Sequence, residues 1–455
     1  MRVWYITMVF PVSTETFACL DVRALRRAGV AVSVHAMRAA RPWGLGGWYG
    51  LVAFRARTRA AKQLLAERDV GDVPVSHSTP AAVLRGLWVA VRSPGILIGL
   101  VAWLLRMNWR SPVHLLKSVV FVPRSLDLLA SVRARRPDVV HLFWGHYPAI
   151  VGYLVRRYHP EVVLSMFLGA HDLRVGYPGS AAVARTADVV WTHAKANVPA
   201  IERLGVPPGQ VRLAYRGIDL EAFSGRAHLK VAHRLVTAGR LDRAKAVDDV
   251  LRVFATLVRR WPSASLVILG DGPERSRLVR LAASLGITGA VRFQGHVSPA
   301  RLRDEMGAAQ VLVLLSVTEC LPNVVKEAMA SRCVCVVSAT VGIEELVEDG
   351  KNGFVVKQGD IADAARCIDH VFQHPDEAAA TASAARGRIV ANFDVRRSME
   401  AYRERWRELR LRRIPQYLPA QGLVGLPPKE RTAGRYPTPV ADAPAGSLPV
   451  ASSHD

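Results

Sequence analysis

The sequence predicts an α/β protein of two doubly wound parallel-sheet domains facing one another across a cleft. Three observations carry that prediction. Short apolar runs without strict period two alternate with amphipathic stretches in both halves, the pattern of parallel strands covered by helices on both faces. The alternation restarts after 216-RGIDLEAFSGRAHLK-230, a polar, turn-rich stretch that reads as a hinge. A chain of 455 residues, half of them hydrophobic, is also long enough for two ordinary cores. The expected boundaries are 1–225 for the first domain, 226–412 for the second, and a disordered tail over 413–455, where Pro, Ala, Gly and Ser dominate without an apolar period.

Taken in order, VWYITMVF (3–10) is the first strand, and 14-TETFACLDVRALRRAG-29 is a helix with apolar residues at 17, 20, 24, 25 and 28, closed by a glycine. VAVSVHAM (30–37), DVVHLFW (138–144), VVLSMFL (162–168) and ADVVWTHA (187–194) are the further strands of the first half. In the second half, RLVTAG (234–239), SLVILGDG (265–272), VRFQG (291–295), VLVLLS (311–316) and VCVVSA (334–339) are strands or strand-turn units. A helix over 245–261 follows the first of them.

Five scattered cysteines without a Cys-x-x-Cys pair indicate neither a disulfide framework nor a structural zinc site, which fits a reducing cytoplasm. The N-terminal residues lack the long apolar core and cleavage site of a signal peptide. Formal net charge is +23 and uneven: residues 1–225 hold 28 Lys and Arg against 13 Asp and Glu. Between Asp72 and Asp127 there is no acidic residue, while Arg85, Arg92, Arg106, Arg110, Lys117 and Arg124 interrupt a run rich in Leu, Val, Ile and Trp. This basic apolar insert, about 80–124, contains only thirteen uncharged residues (93–105) between Arg92 and Arg106. That is short of the roughly twenty needed to span a bilayer. With Trp88, Trp103 and Trp109 it reads as a segment lying in the interface of an anionic membrane. A nucleic-acid partner is not expected, since no helix-turn-helix pattern, zinc ligand set or aromatic stacking strand accompanies the charge.

The chemistry concentrates where strands of the second half end, because open α/β sheets bind ligands at the carboxyl ends of their strands. Arg240 and Lys245 follow the first strand of that half in a loop entering a helix, a natural clamp for a diphosphate. In 319-ECLPNVVKEAMA-330, Pro322 suits the first turn of a helix, so Glu319 lies in the preceding loop and Glu327 inside the helix. Carboxylates accept paired hydrogen bonds from vicinal hydroxyls, and helix N-termini favour phosphate; a nucleotide sugar carries both kinds of group.

The ordered string Gly239-Arg240-Leu241 with Lys245, Gly270-Asp271-Gly272-Pro273, Ser316 ahead of Glu319-x7-Glu327, and Glu348-Asp349-Gly350-Lys351-Asn352-Gly353 resembles the C-terminal domain of retaining GT-B glycosyltransferases of family 4. The likeness covers about 234 to 356. It implies two Rossmann-like domains and a nucleotide-sugar donor, UDP- or GDP-linked, as co-substrate, with no other cofactor. Arg240 and Lys245 would hold the diphosphate, Glu319 the transferred sugar's hydroxyls and Glu327 the ribose, with Gly272, Ser316, Asn323 and the backbone at Gly342 also on the donor. Ala246, Cys320 and Val341 stand where the family usually has glycine.

In the first half, 10-FPVSTETF-17 resembles the Ser-Glu-Thr-Phe loop of the exopolysaccharide-building subset, making Ser13, Thr14 and Glu15 candidates for a phosphate or acceptor loop. The stretch 168-LGAHDL-173 resembles the family's His-Gly-x-Asp element with Leu168 at the histidine position. His171 and Asp172 are thus candidates for the catalytic centre beside Glu319, with His141 and His146 as weaker ones. No Asp-x-Asp occurs, so no metal is expected at the diphosphate. The expected function is transfer of a hexose, with retention, from the nucleotide sugar to a lipid-linked or saccharide acceptor in cell-surface polysaccharide or glycolipid synthesis. The expected location is cytoplasmic, on the inner face of the plasma membrane. The alternatives are a nucleotide-sugar epimerase or phosphorylase on the same fold, and a non-catalytic membrane-associated scaffold.

Overall fold

The computed structural model describes residues 1–11, 16–38, 65–66, 69–223 and 230–417. Seven strands form the first sheet: β1 (Arg2–Thr7), β2 (Ala31–Ala36), β3 (Val75–Ser76), β4 (Val139–Phe143), β5 (Val163–Phe167), β6 (Val189–Thr192) and β7 (Val211–Leu213). Their order is β3-β2-β1-β4-β5-β6-β7. Six form the second: β8 (Arg234–Ala238), β9 (Ser265–Leu269), β10 (Val291–Gly295), β11 (Val311–Leu314), β12 (Val334–Ser338) and β13 (Phe354–Val356), in the order β10-β9-β8-β11-β12-β13. All pairings between these strands are parallel. Strand order reverses between β1 and β4 in one sheet and between β8 and β11 in the other, which sets a ligand crevice at the carboxyl ends of those strands.

The central strands β4, β5 and β12 are buried along their whole length, as expected for runs that meet helices on both faces. The sequence reading missed β3, β7 and β13. Each is an edge strand of two or three residues, too short to carry a pattern.

The insert consists of α2 (Pro80–Arg92), α3 (Pro94–Asn108) and α4 (Pro112–Arg135), counting the helix Thr16–Arg27 as α1. Among the described residues no single helix is long and apolar enough to cross a membrane, and α2 and α3 meet at a bend of 104°. Helix α2 lies so close to α4 that a Cβ on Gly86 would come within 1.8 Å of the Pro123 carbonyl oxygen, so only glycine fits there. One of the six cations counted in the insert, Arg124, is not a surface charge, and a second, Arg85, is exposed but paired. Arg124 is buried, bonding Asp127 (2.7 Å), Ser76 and the Ala36 carbonyl, and Arg85 pairs with the same Asp127. Trp103 is likewise not interfacial, because it stacks on Tyr153 with ring centroids 4.4 Å apart.

The last described helix, α5 (Val395–Tyr417), corrects the domain boundary. Val395, Met399, Tyr402 and Trp406 fall on one helical face and enter the core of the first sheet, with Tyr402 stacked on Trp191 at 3.8 Å. The chain therefore returns to the first domain before it ends. Residues 413–417, assigned from sequence to the disordered tail, finish this helix; the remainder of that tail lies outside the described residues.

Candidate active site

The site is built at the carboxyl edge of the second sheet. Beyond β8 the chain passes Gly239 and Arg240, makes one short turn over Arg243–Lys245, and enters the helix Val247–Arg260. The Gly-Asp-Gly turn after β9 packs directly on this loop. A Cβ on Gly270 would lie 1.8 Å from the Gly239 carbonyl oxygen, and one on Gly272 2.3 Å from that of Leu241. The Leu241 amide donates to the Asp271 carbonyl (3.0 Å). Gly272, expected on the donor, thus owes its identity to the close approach of two backbones.

Lys245 then meets the loop after β11. Its Nζ pairs with Glu319 Oε1, and the Ser316 hydroxyl donates to the same oxygen (3.3 Å). The two loops are also tied by the Val317 amide donating to the Ala244 carbonyl (2.8 Å). Three residues singled out from sequence are therefore joined in one hydrogen-bonded set. Arg240 stands beside them in sequence, half-exposed, 3.8 Å from Asp242. Glu327 lies within the helix Asn323–Ala330, partly buried. Asn323 turns to Lys326, whose ammonium donates to its Oδ1 (3.1 Å).

Gly342 occupies the left-handed region (φ 81°), next to Cys320, Glu345 and Ala196 of the first domain. Val341 is 70 % exposed and carries no positive φ, so valine is tolerated where glycine was expected. The neighbouring Thr340 Oγ1 is buried without a hydrogen-bond partner, as is His193 Nδ1 beyond β6. Buried polar atoms of this kind are normally satisfied, and a ligand in the crevice would supply the partner.

Across the interface, Glu345 accepts from the amides of Lys195 (2.7 Å) and Ala196 (2.9 Å), capping a first-domain turn with a second-domain carboxylate. Arg216, expected in a loose hinge, is buried and locked. Its guanidinium sits 4.4 to 4.6 Å from the ring centres of Phe17, Phe143 and Phe167 and pairs with Asp21 at 2.5 Å. Its carbonyl accepts from Lys326 Nζ (2.8 Å). Burial, with Arg216 nearby, pulls the Lys326 ammonium down to about 7. His193 keeps part of its surface open, yet burial and these two cations hold its imidazole down to about 3. Sequence reasoning missed Lys326, Arg216 and Glu345; the one signal was a lysine inside the apolar run 324-VVKEAMA-330.

The first-domain candidates fare differently. Ser13, Thr14 and Glu15 lie outside the described residues. Asp172 is buried and accepts from the Gly145 amide (2.7 Å), His146 Nδ1 (2.8 Å) and the Gly169 amide (3.0 Å). With those three bonds made inside the domain it positions the His146 ring and joins the loops after β4 and β5. His171 is exposed, its ring 5.9 Å from that of His146, and partial burial lowers its pKa. His141 is buried, bonded to Ser165 (3.0 Å), with burial lowering its pKa to about 3, so it belongs to the core.

Comparison with known proteins agrees with this geometry. Residues 228–388 match the family model described as glycosyl transferases group 1. The second sheet and its loops are a group 1 glycosyltransferase domain. A glycogen synthase from Mycobacterium tuberculosis is 27 % identical over 351 residues, 73 % of this chain and 82 % of that protein. The lipopolysaccharide core biosynthesis glycosyltransferase LpsE of Rhizobium meliloti is 28 % identical over 56 % of this chain and 78 % of its own. Among solved structures, Anabaena Alr3699/HepE superposes with a TM-score of 0.64 at 17 % identity, covering 90 % of this chain and all of the other, a likeness of fold alone. The chain therefore has the GT-B arrangement of two parallel-sheet α/β domains, and Lys245, Ser316 and Glu319 lie within its matched region.

Proposed function

We propose that the protein is a retaining, family 4-like hexosyltransferase that moves a sugar from a UDP- or GDP-sugar to a lipid-linked or saccharide acceptor. The observation that carries this reading is the joining of Lys245, Ser316 and Glu319 at the carboxyl edge of the second sheet. Lys245 and Arg240 stabilise the charge that develops on the departing diphosphate, aided by backbone amides near Gly342. Glu319, released from Lys245 as the phosphate takes that ammonium, accepts hydrogen bonds from the sugar hydroxyls, and Glu327 those of the ribose. The acceptor oxygen bonds to the anomeric carbon on the face the phosphate leaves; the C–O bond to phosphate breaks, and the acceptor's proton passes to the departing phosphate oxygen. No metal is assigned a part. Support for a nucleotide donor comes from the Anabaena protein, solved in complex with UDP-glucose.

The membrane part of the proposal rests on the insert. Twelve exposed large apolar side chains lie between 84 and 120, against seven in the rest of the described chain. Arg92 stacks on Trp88 (5.0 Å) and Arg110 on Trp109 (4.7 Å), so each pair offers an indole and a guanidinium together to an interface of acyl chains and phosphates. The proposed location is the inner face of the plasma membrane, where cell-surface polysaccharide or glycolipid precursors are assembled.

A thermal-shift screen of UDP- and GDP-sugars, followed by product analysis with undecaprenyl-diphosphate-linked and free saccharide acceptors, tests the proposal. It expects stabilisation by one nucleotide class and an α-linked product from an α-linked donor. An inverted product, or conversion of the nucleotide sugar without any acceptor, rejects it.

A further inference from the structure

A second cavity lies on the opposite face of the first domain. A cavity of about 480 Å³ opens at the amino-terminal edge of the first sheet, where β1 starts at Arg2 and where Asp138 and Val162 precede β4 and β5. It is separated from the cleft by the length of the strands, roughly 17–20 Å. Its volume falls in the range of small-molecule pockets.

The charges around it do not cancel. Asp138 pairs with Arg410 (3.1 Å), Glu161 with His159 (3.0 Å), and Arg413 is held by Asp188 and the Val162 carbonyl. Three further guanidiniums line the cavity, from Arg2, Arg133 and Arg136, and among the described residues none of them is paired with a carboxylate. That of Arg2 donates to the Arg135 carbonyl (3.0 Å). The helix C-terminus accounts for Arg133, since cations are favourable in a last turn. It does not account for Arg136, which stands past the helix in the left-handed conformation (φ 43°) where glycine is the usual residue. An arginine held in that conformation, which L side chains rarely adopt, is an outlier of the sort that collects at ligand sites.

We propose that this cavity binds a small soluble anion of the diphosphate or triphosphate class, through Arg2, Arg133 and Arg136, independently of the cleft. Guanidiniums converging from a strand start and a helix end supply the forked donors that such oxygens take. The exposed apolar side chains of α4, Val113 to Val120, sit at the other end of that helix, some 20–30 Å away at 1.5 Å per residue, so the cavity is not part of the apolar surface.

The test is calorimetric titration of the full-length protein with inorganic pyrophosphate and tripolyphosphate, using wild type, Lys245→Ala, and the double variant Arg133→Ser/Arg136→Gly. Glycine suits the left-handed position, so the double variant should melt no lower than wild type. Binding at one site per chain, unchanged by Lys245→Ala and weakened at least tenfold in the double variant, supports the proposal. Binding lost with Lys245→Ala places the anion in the cleft; binding unchanged in the double variant, or no binding in wild type, also overturns it. A lipid-headgroup site is separated by flotation with phosphatidic acid vesicles. The double variant should float as wild type does, and loss of flotation without loss of pyrophosphate affinity overturns the proposal in favour of lipid.

Discussion

The two sheets share an architecture but differ in how they treat charge and apolar surface. Of its described large apolar side chains the second domain exposes only scattered valines, and it gathers polar side chains at the strand ends in a set joined by hydrogen bonds across loops. The first leaves a band of Leu, Val and Trp exposed on α2 to α4, and its buried polar groups include the histidines His35 and His141, whereas the second buries Glu305, Lys326 and Glu345. None of the second domain's described histidines is buried. Under the proposed function the difference matches what each half meets: a charged donor held by a fixed polar constellation, and a lipid-anchored acceptor met by an apolar surface.

The sharpest way to break that contrast is to separate chemistry from attachment. Lys245→Ala should lower kcat with any acceptor by about 10²–10³-fold, the loss typical when one donor to a developing anion is removed. Trp88→Ser/Trp109→Ser/Leu116→Ser should leave kcat on a soluble acceptor within about twofold while abolishing vesicle flotation, because these side chains are exposed and leave the core intact. If the triple variant floats as wild type does, the first domain's apolar band does not bind membrane.

Acid should also divide the halves. His35 and His141 are neutral in the core, with burial holding both down to about 3 against 6.5 when unfolded. Between those values the unfolded chain binds the extra protons, so their contribution to stability is present above pH 6.5 and is lost as pH falls towards 3. Two such groups give a slope of about 3 kcal/mol per pH unit. Hydrogen exchange at pH 4.5 should therefore show β1, β2 and β4 losing protection before β8, β9 and β11; simultaneous loss would mean that the two domains unfold as one unit. Lys326, where the halves meet, acts in the alkaline range. Its folded value of about 7 lies below the ordinary 10.5, so the cost of burying it is present below pH 7 and is relieved as pH rises towards 10.5. Relative to Lys326→Met, wild type should gain up to about 1.4 kcal/mol per pH unit across that window in urea unfolding. A constant gap would show that the ammonium stays charged.

How much of this was legible in the sequence also divides at the hinge. Both sheets could be read from apolar runs, because a strand buried on both faces leaves an uninterrupted signature. Short edges such as β7 and β13 left none. In the second half Lys245 and Glu319 could be found because they follow strand ends of a parallel sheet, and Ser316 through the motif that resembles a known family. In the first half the inward turn of Asp172 could not be read: a side chain beside a strand end can face inward to tie loops, and no spacing rule records which way it turns. Arg216 and Lys326 were invisible for a related reason. Each is buried against a ring far off in sequence, Phe143 for Arg216 and Phe393 for Lys326, which local pattern does not connect. Helix α5 has a clear apolar stripe, but nothing in the stripe says which sheet it covers.

The smallest expected effect probes whether the donor loop is strained. Ala246 caps the turn that aims Lys245 and does so at φ 44°, ψ 44°, the left-handed region. Alanine there costs about 1–2 kcal/mol relative to glycine, partly offset by glycine's greater freedom in the unfolded chain, about 0.4–1 kcal/mol. Ala246→Gly should accordingly stabilise the second domain by roughly 0.5–1 kcal/mol, read as a higher urea midpoint at unchanged slope. The same substitution should leave KM for the nucleotide sugar within about twofold, because the Ala246 amide already bonds the Arg243 carbonyl (3.1 Å) and the turn keeps its shape. A lower midpoint would mean that the alanine methyl, buried in the second core, packs for more than its backbone conformation costs. The second domain would then also depend on apolar contact at its donor loop, and the contrast between the halves would narrow.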